Sequence, residues 1–173
     1  MSNYIKDALR TESISGANER LGMAIIEVEQ VRQICTHIDT IVDDVKKFIF
    51  YGKKQGEQYN SLKLDFNIPE EKIRLLHSGL GMLTEASEFL VPILNSILLS
   101  TDLDKVNLKE ELGDSMWYQA IACDVLGTTF ELEQERNINK LRARYPEKFT
   151  EDLAINRDID TERKILEGIK NEN

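Results

Sequence analysis

A long apolar stripe near the N-terminus constrains the fold of this chain more than any other feature. Its members follow one another at steps of three and four residues: Leu21, Ile25, Val28, Val31, Cys35, Ile38, Val42 and Val45. This spacing is typical of a helix with one apolar face. Acidic and amide side chains, including Asp39 and Asp43, fall on the opposite face. The stripe needs a partner helix, which either another part of the chain or a second copy must supply.

The remaining sequence also predicts helices, because no segment alternates apolar and polar residues like a strand. We expect Pro92 to bend or end one helix near Phe89, and Asn107 to begin another with a capping box. Gly127 should stop that helix, and Thr128-Thr129 should cap the next, which runs to about Arg144. The predicted fold is all-α, in one domain over residues 1–173, with N-terminal helices in 4–50, a central region at 73–149 and a tail helix at 158–170.

Composition and charge exclude several classes of function. The net charge of −9 argues against a nucleic-acid-binding surface. Cys35 and Cys123 have apolar neighbours and read as core thiols of a reducing compartment. The N-terminus has no apolar signal core, and the apolar run 89–99 is shorter than the ~20 residues that span a bilayer. We therefore expect a cytoplasmic protein that binds neither nucleic acid nor membrane.

Two pairs of carboxylates carry the strongest chemical signal. Glu85 and Glu88 are three residues apart, as are Glu111 and Asp114, so each pair shares one face of a helix. With 31 acidic residues in the chain, a single pair would usually be solvated surface. These pairs, however, adjoin apolar residues, and buried acids require cations. Gly113, between two acids, suggests close approach of a helix or a ligand. If the two helices face each other, the acids predict a hard divalent metal, most simply Mg²⁺.

The order and spacing of these motifs resemble a known enzyme family. Glu85-X-X-Glu88, 22 intervening residues, Glu111-X-X-Asp114 and then Asn137-X-X-Lys140-X-X-X-Arg144-Tyr-Pro are similar to the all-α nucleoside triphosphate pyrophosphatases, and to their MazG-like branch in particular. The resemblance covers residues 73–149. The segment 156–163 also resembles the tail of phage and bacterial relatives.

The resemblance implies an oligomeric all-α helical bundle, a homodimer or homotetramer, that depends on Mg²⁺ with Mn²⁺ as a possible substitute. Such enzymes split a nucleoside triphosphate between the α- and β-phosphates to give the monophosphate and pyrophosphate. The four acids would be the metal ligands, and either Glu85 or Glu88 would take the proton of the attacking water. Asn137, Lys140 and Arg144 would contact the triphosphate.

Trp117 lies three residues after Asp114 and is a candidate to line a base pocket, with core packing as the alternative for Trp117 or its neighbour Tyr118. His77 reads as a core or cap histidine.

The family often has a Lys-rich segment after its first acid pair. Here residues 91–100 contain no cation, and a Lys-rich run stands instead at 46–53. The preferred substrate is therefore open.

Three functions remain at this stage. The first is hydrolysis of (d)NTPs, for nucleotide-pool control, clearing of non-standard nucleotides or alarmone turnover. The second is the hydrolysis of phosphoribosyl-ATP, which the same fold also performs. The third is a non-catalytic helical regulator that keeps the acids as a structural metal site.

Overall fold

The structure is a computed structural model that describes residues 3–53 and 67–168, and within these ranges every regular element is an α-helix. The all-α class is therefore confirmed. The helices are α1 (Asn3–Leu9), α2 (Ala17–Met23), α3 (Ile25–Tyr51), α4 (Glu70–Leu99), α5 (Lys105–Leu126), α6 (Phe130–Arg144), α7 (Glu151–Ile155) and α8 (Ile159–Gly168).

The helices belong to two compact units. The described residues of 20–53 and 67–126 form the first unit, in which α4 packs against both α3 and α5. The described residues of 3–19 and 127–168 form the second unit, in which α6 packs against α1 and α8. The two carboxylate pairs lie in the first unit, which we call the three-helix unit. The segment 137–149, with the Arg-Tyr-Pro run, lies in the second unit.

The apolar stripe predicted for residues 21–45 forms two helices instead of one. Ala24 leaves helical geometry, with φ −98° and ψ 19°, and separates α2 from α3. α3 then continues to Tyr51, where Gly52 adopts the left-handed conformation at φ 65° that suits glycine. The partner helix inside the chain is α4. Several apolar side chains of α3 nevertheless remain exposed, among them Val31, Ile34 and Ile41.

Pro92 does not end its helix, so of the two predicted outcomes, a bend or an end near Phe89, the end is wrong. α4 runs from Glu70 to Leu99 with Pro92 inside it. An internal proline removes one backbone hydrogen bond. Ser87 and Leu94, on either side of the proline, are both buried. Packing through this region therefore outweighs the local loss.

The uninterrupted α4 is long and apolar enough to cross a membrane by length and composition alone. Our expectation that no segment reaches this length considered only the continuous apolar run 89–99, whereas the helix extends from Glu70 to Leu99. The buried side chains of α4 are largely polar, however, and include Ser78, Thr84 and Glu85. Together with its packing against two other helices, this polarity is typical of a core helix that carries a site.

The ends of α5 and α6 follow local chemistry, with one correction. Asp104, and not Asn107, caps α5: its Oδ1 accepts hydrogen bonds from the N–H groups of Val106 and Asn107 at 3.0 and 3.1 Å. Gly127 adopts φ 62° between the two helices. The side chain of Thr129 accepts a hydrogen bond from the Leu132 N–H, so the predicted cap of α6 is confirmed.

In the second unit, the ends of α6 and α8 are joined by a buried ion pair. Arg144 donates from Nε and Nη2 to the two carboxylate oxygens of Glu162, at 2.7 and 2.6 Å. Arg157 donates to the same carboxylate at 2.6 Å. α8 falls inside the predicted tail helix, of which residues 169 and 170 lie outside the described residues. The short α7 was not predicted.

Candidate metal centre

Three of the four predicted metal ligands come together between α4 and α5. One carboxylate oxygen each from Glu85, Glu88 and Glu111 lies within 4.8 Å of the others. Glu85 and Glu111 are buried, whereas Glu88 is exposed. We call these three residues the acid cluster. The i, i+3 spacing places Glu85 and Glu88 on one face of α4, and the packing of α5 against α4 brings Glu111 to them.

Asp114, the fourth predicted ligand, lies outside this close group. Its side chain is exposed. It is near enough for its charge to help raise the pKa of Glu85. Gly113 is exposed too, and a methyl group added there would meet nothing within 4 Å. The close approach of another helix of the described chain at Gly113 is therefore not found.

Two carboxyl groups of the acid cluster have raised pKa values, because negative charges are crowded and partly desolvated there. Partial desolvation at the cleft, the charge of Glu85, a hydrogen bond with Glu111 and the charge of Asp39 together raise the pKa of Glu88 to about 7. Burial also raises the pKa of Glu85, against the opposing effects of Lys46 and Thr84. Crowded, partly desolvated carboxylates behave in this way until a cation joins them. A bound divalent ion would instead favour the charged carboxylates and lower their pKa values.

Lys46 supplies the one cation that the structure places in direct contact with the acid cluster among the residues it describes. Its side chain is buried, with 5% of the residue exposed. The ammonium donates a hydrogen bond to Thr84 Oγ1 at 2.8 Å and lies 3.7 Å from Glu85 Oε1 and 3.6 Å from Asp43 Oδ1. The Tyr118 ring centroid is 5.3 Å away. The sequence drew attention to Lys46 only as part of the Lys-rich run 46–53, and its contact with the acids was not predicted, because a lysine in an amphipathic helix usually lies at the surface.

Asp39 and Asp43 were also missed, because we placed them on the solvent face of the stripe helix. Asp43 approaches Lys46 and pairs with Lys47. Asp39 Oδ1 is buried and accepts no hydrogen bond from the described residues, and burial raises its pKa. The charge of Glu111 contributes to this shift. The signal was present in the sequence, since positions 39, 43 and 46 share one helix face.

A cleft of about 320 Å³ opens at the acid cluster. Its walls come from α3, α4 and α5 of the three-helix unit: Thr36, Asp39, Ser87, Glu88, Val91, Pro92, Asn107 and Glu111. At roughly 30 Å³ per water, this volume has room for a hydrated cation and a phosphate group. Carboxylate, amide and hydroxyl groups line the cleft, and Val91 and Pro92 contribute apolar surface.

A cluster of aromatic rings lies near the acid cluster. His77 stacks on Phe50 with ring centroids 4.0 Å apart, and it meets Trp117 and Tyr118 edge-on. Burial and the charge of Lys46 lower the pKa of His77. Tyr118 is buried, so it is the core member of the Trp-Tyr pair. Trp117 is 55% exposed and leaves much of its ring open to a ligand.

The three predicted phosphate contacts, Asn137, Lys140 and Arg144, lie on α6 of the second unit. Arg144 donates from Nε and Nη2 to the carboxylate of Glu162. This arginine therefore has a structural role in its own unit. Asn137 and Lys140 are half-buried. Their role in binding substrate stays a prediction.

Comparison of the chain with protein-family models, with curated proteins and with solved structures gives no match. The resemblance to the MazG-like enzymes therefore stays a prediction that rests on the motifs, and the functional argument rests on the acid cluster.

Proposed function

We propose that this protein is a Mg²⁺-dependent nucleoside triphosphate pyrophosphohydrolase, with Mn²⁺ as a substitute metal. The observation that supports this proposal most strongly is the acid cluster, in which two buried glutamates and one exposed glutamate converge within 4.8 Å. Carboxylate oxygens are the ligands that Mg²⁺ prefers, and Mg²⁺ sites of this kind use few protein ligands together with water and substrate phosphates.

The carboxylates divide the work according to their environment. Glu85 and Glu111 are buried and held by packing, which suits them to bind metal. Glu88 is exposed and lines the cleft, which suits it to accept the proton of a water molecule there. Bound Mg²⁺ would neutralise charge on the phosphates and acidify the attacking water. Asp114, which lies outside the acid cluster, would then interact with the ion less directly.

The products follow from the bond that is broken. Water would attack the α-phosphorus of a (d)NTP, its proton would pass to Glu88, and pyrophosphate would leave with the electron pair of the broken P–O bond. The exposed ring of Trp117 is suited to stack on the base, because a nucleobase presents a flat face. A phosphate contact by Asn137 or Lys140 stays a prediction, and Arg144 is held by Glu162 in its own unit. We also propose that the protein is cytoplasmic and that it forms a homo-oligomer. The oligomer would cover the exposed apolar side chains on α3.

The test is product analysis after incubation with a panel of canonical and modified NTPs and dNTPs, with and without Mg²⁺. We expect metal-dependent release of pyrophosphate and the monophosphate from one or a few substrates. Glu111→Gln should lose nearly all turnover while it stays folded. Glu110→Gln is the matched control, because Glu110 is the exposed neighbour on the same helix.

Two results would overturn this proposal. Release of orthophosphate instead of pyrophosphate would mean that a different bond is cleaved. Silence across the panel, with Mg²⁺ still bound, would favour phosphoribosyl-ATP as the substrate or a regulator with a structural metal site.

A further inference from the structure

We propose that Lys46 is an internal counter-ion that competes with the divalent cation for Glu85, and so sets the metal concentration at which the site fills. This inference rests on the metal site of the proposed function. It goes beyond that function because it assigns a regulatory role to a residue of α3, which belongs to neither carboxylate pair.

The ammonium group of Lys46 is buried. A lysine side chain normally extends its charge into water, and a buried ammonium is costly unless it is paired. Lys46 is 5% exposed, and its Nζ contacts Thr84, Glu85 and Asp43. Thr84 itself is fully buried. The fold therefore places this positive charge inside the protein, against the acid cluster.

Glu85 is shared between Lys46 and the proposed metal site. The ammonium lies 3.7 Å from Glu85 Oε1, and Glu85 is also one of the three converging carboxylates. A cation bound to Glu85 would repel the ammonium, since both are positive and close to one carboxylate. Lys46 and the metal therefore stabilise the same negative charge. Because they repel each other, each weakens the interaction of the other with Glu85.

Lys46 keeps partners when Glu85 turns to a metal. Thr84 Oγ1 accepts its hydrogen bond at 2.8 Å, and Asp43 Oδ1 lies 3.6 Å away. Neither residue belongs to the acid cluster. The ammonium can stay on these two groups without a rearrangement of the helices, so metal binding weakens one contact of Lys46 and leaves the others.

The experiment measures Mn²⁺ affinity of the full chain by electron paramagnetic resonance, at mildly alkaline pH where the carboxylates are ionised. Lys46→Met should bind Mn²⁺ at least about tenfold more tightly, a lower bound on the repulsion that Coulomb's law gives for charges this close near a protein surface. The Mg²⁺ concentration for half-maximal turnover should fall by a similar factor. A merely structural lysine would produce the opposite sign, because loss of packing around Glu85 would weaken metal binding.

Lys47→Met is the matched control. It removes the same charge from the neighbouring position, where the side chain is 40% exposed and pairs with Asp43. Its Mn²⁺ affinity should stay within about threefold of the wild type, because the half-exposed ammonium acts on Glu88 only through its charge, and solvent and salt screen much of that effect. Lys46→Arg keeps the charge and should not tighten binding.

Equal or weaker Mn²⁺ binding by a folded Lys46→Met would overturn the inference while leaving the proposed function intact. Absence of saturable Mn²⁺ binding and of turnover in the wild type would instead overturn the proposed function. If Lys46→Met does not fold, the side-chain methylene NMR signals of the wild type decide the point: saturating Mg²⁺ should shift those of Lys46 more than those of Lys47, and an unmoved Lys46 would contradict the proposal.

Discussion

The ring of Tyr118 on α5 lies directly against the backbone of Gly81 on α4. A methyl group built at Gly81 would fall 2.1 Å from Tyr118 Cδ1 and 2.3 Å from Cγ. Glu85 follows Gly81 by one helical turn, and the Tyr118 ring also faces the Lys46 ammonium. The close approach of α4 and α5 at this point therefore helps to position the acid cluster.

Gly81→Ala should destabilise the protein by about 1–3 kcal/mol, because the buried ring has to move to admit the methyl group. The free energy of unfolding, measured with urea, tests this. Gly79→Ala is the control on the same helix, since its added methyl meets nothing within 4 Å. The control should be equally stable or more stable by up to about 1 kcal/mol. Equal stability of the two variants would contradict the close packing of Tyr118.

Trp117→Ala should weaken substrate binding and leave the fold intact, because more than half of the residue is exposed. Loss of one stacking ring is worth about 1–3 kcal/mol, which corresponds to a KM increase of roughly tenfold, with kcat little changed. Steady-state kinetics with the best substrate of the panel measures this. Met116→Ala, at the exposed neighbouring position, should change KM little. A wild-type KM for the Trp117 variant would exclude a base contact.

Glu162→Gln should destabilise the second unit by about 3 kcal/mol, because it leaves two arginines beside a neutral, buried side chain. Glu162 accepts from both Arg144 and Arg157. Urea unfolding followed by circular dichroism measures the change. Glu167→Gln serves as the control, because its pair with Arg163 is exposed and should contribute less than about 1 kcal/mol. A Glu162 variant as stable as this control would show that the pair contributes little.

The same carboxylate should make stability depend on acidic pH. Hydrogen bonds from Arg144 and Arg157 lower the pKa of Glu162 from 4.5 to about 2. The unfolded chain thus binds this proton more readily, so the stabilisation is present above pH 4.5 and is lost as the pH falls towards 2. The full effect is at most about 3 kcal/mol. We expect the wild type to lose more stability over this range than Glu162→Gln; parallel pH profiles would contradict the assignment.

Helix class and several helix ends were predictable because each depends on neighbouring residues in the sequence. Gly127 and Thr129 act through their own backbone and side-chain chemistry, and the structure has them in the predicted roles. The convergence of Glu85, Glu88 and Glu111 was predictable for a related reason. A three-residue spacing fixes the face of each helix, and only the packing of α4 against α5 had to be assumed.

The misses share a different cause. Apolar patterning assigned the stripe of α3 to the interior and its charges to solvent. The structure instead buries Lys46 and draws Asp39 to the cleft, while Val31 and Ile41 remain exposed. Charged side chains usually lie at the surface and apolar ones in the interior. At a site made of charges the opposite holds, since the charged face of α3 must point inward to meet the acids of α4 and α5. The helix end predicted as one outcome at Pro92 does not occur, because the local cost of proline is visible in the sequence, whereas the packing that offsets it is not.

The most direct test of the account is a Mn²⁺ titration of the wild type, Glu111→Gln and Glu110→Gln, followed by electron paramagnetic resonance. The account predicts saturable binding by the wild type and by Glu110→Gln, and a loss of at least about tenfold in affinity for Glu111→Gln, because one of few charged ligands is removed. If the wild type shows no saturable binding up to millimolar Mn²⁺, or if Glu111→Gln binds as tightly as Glu110→Gln, the acid cluster is not a metal centre.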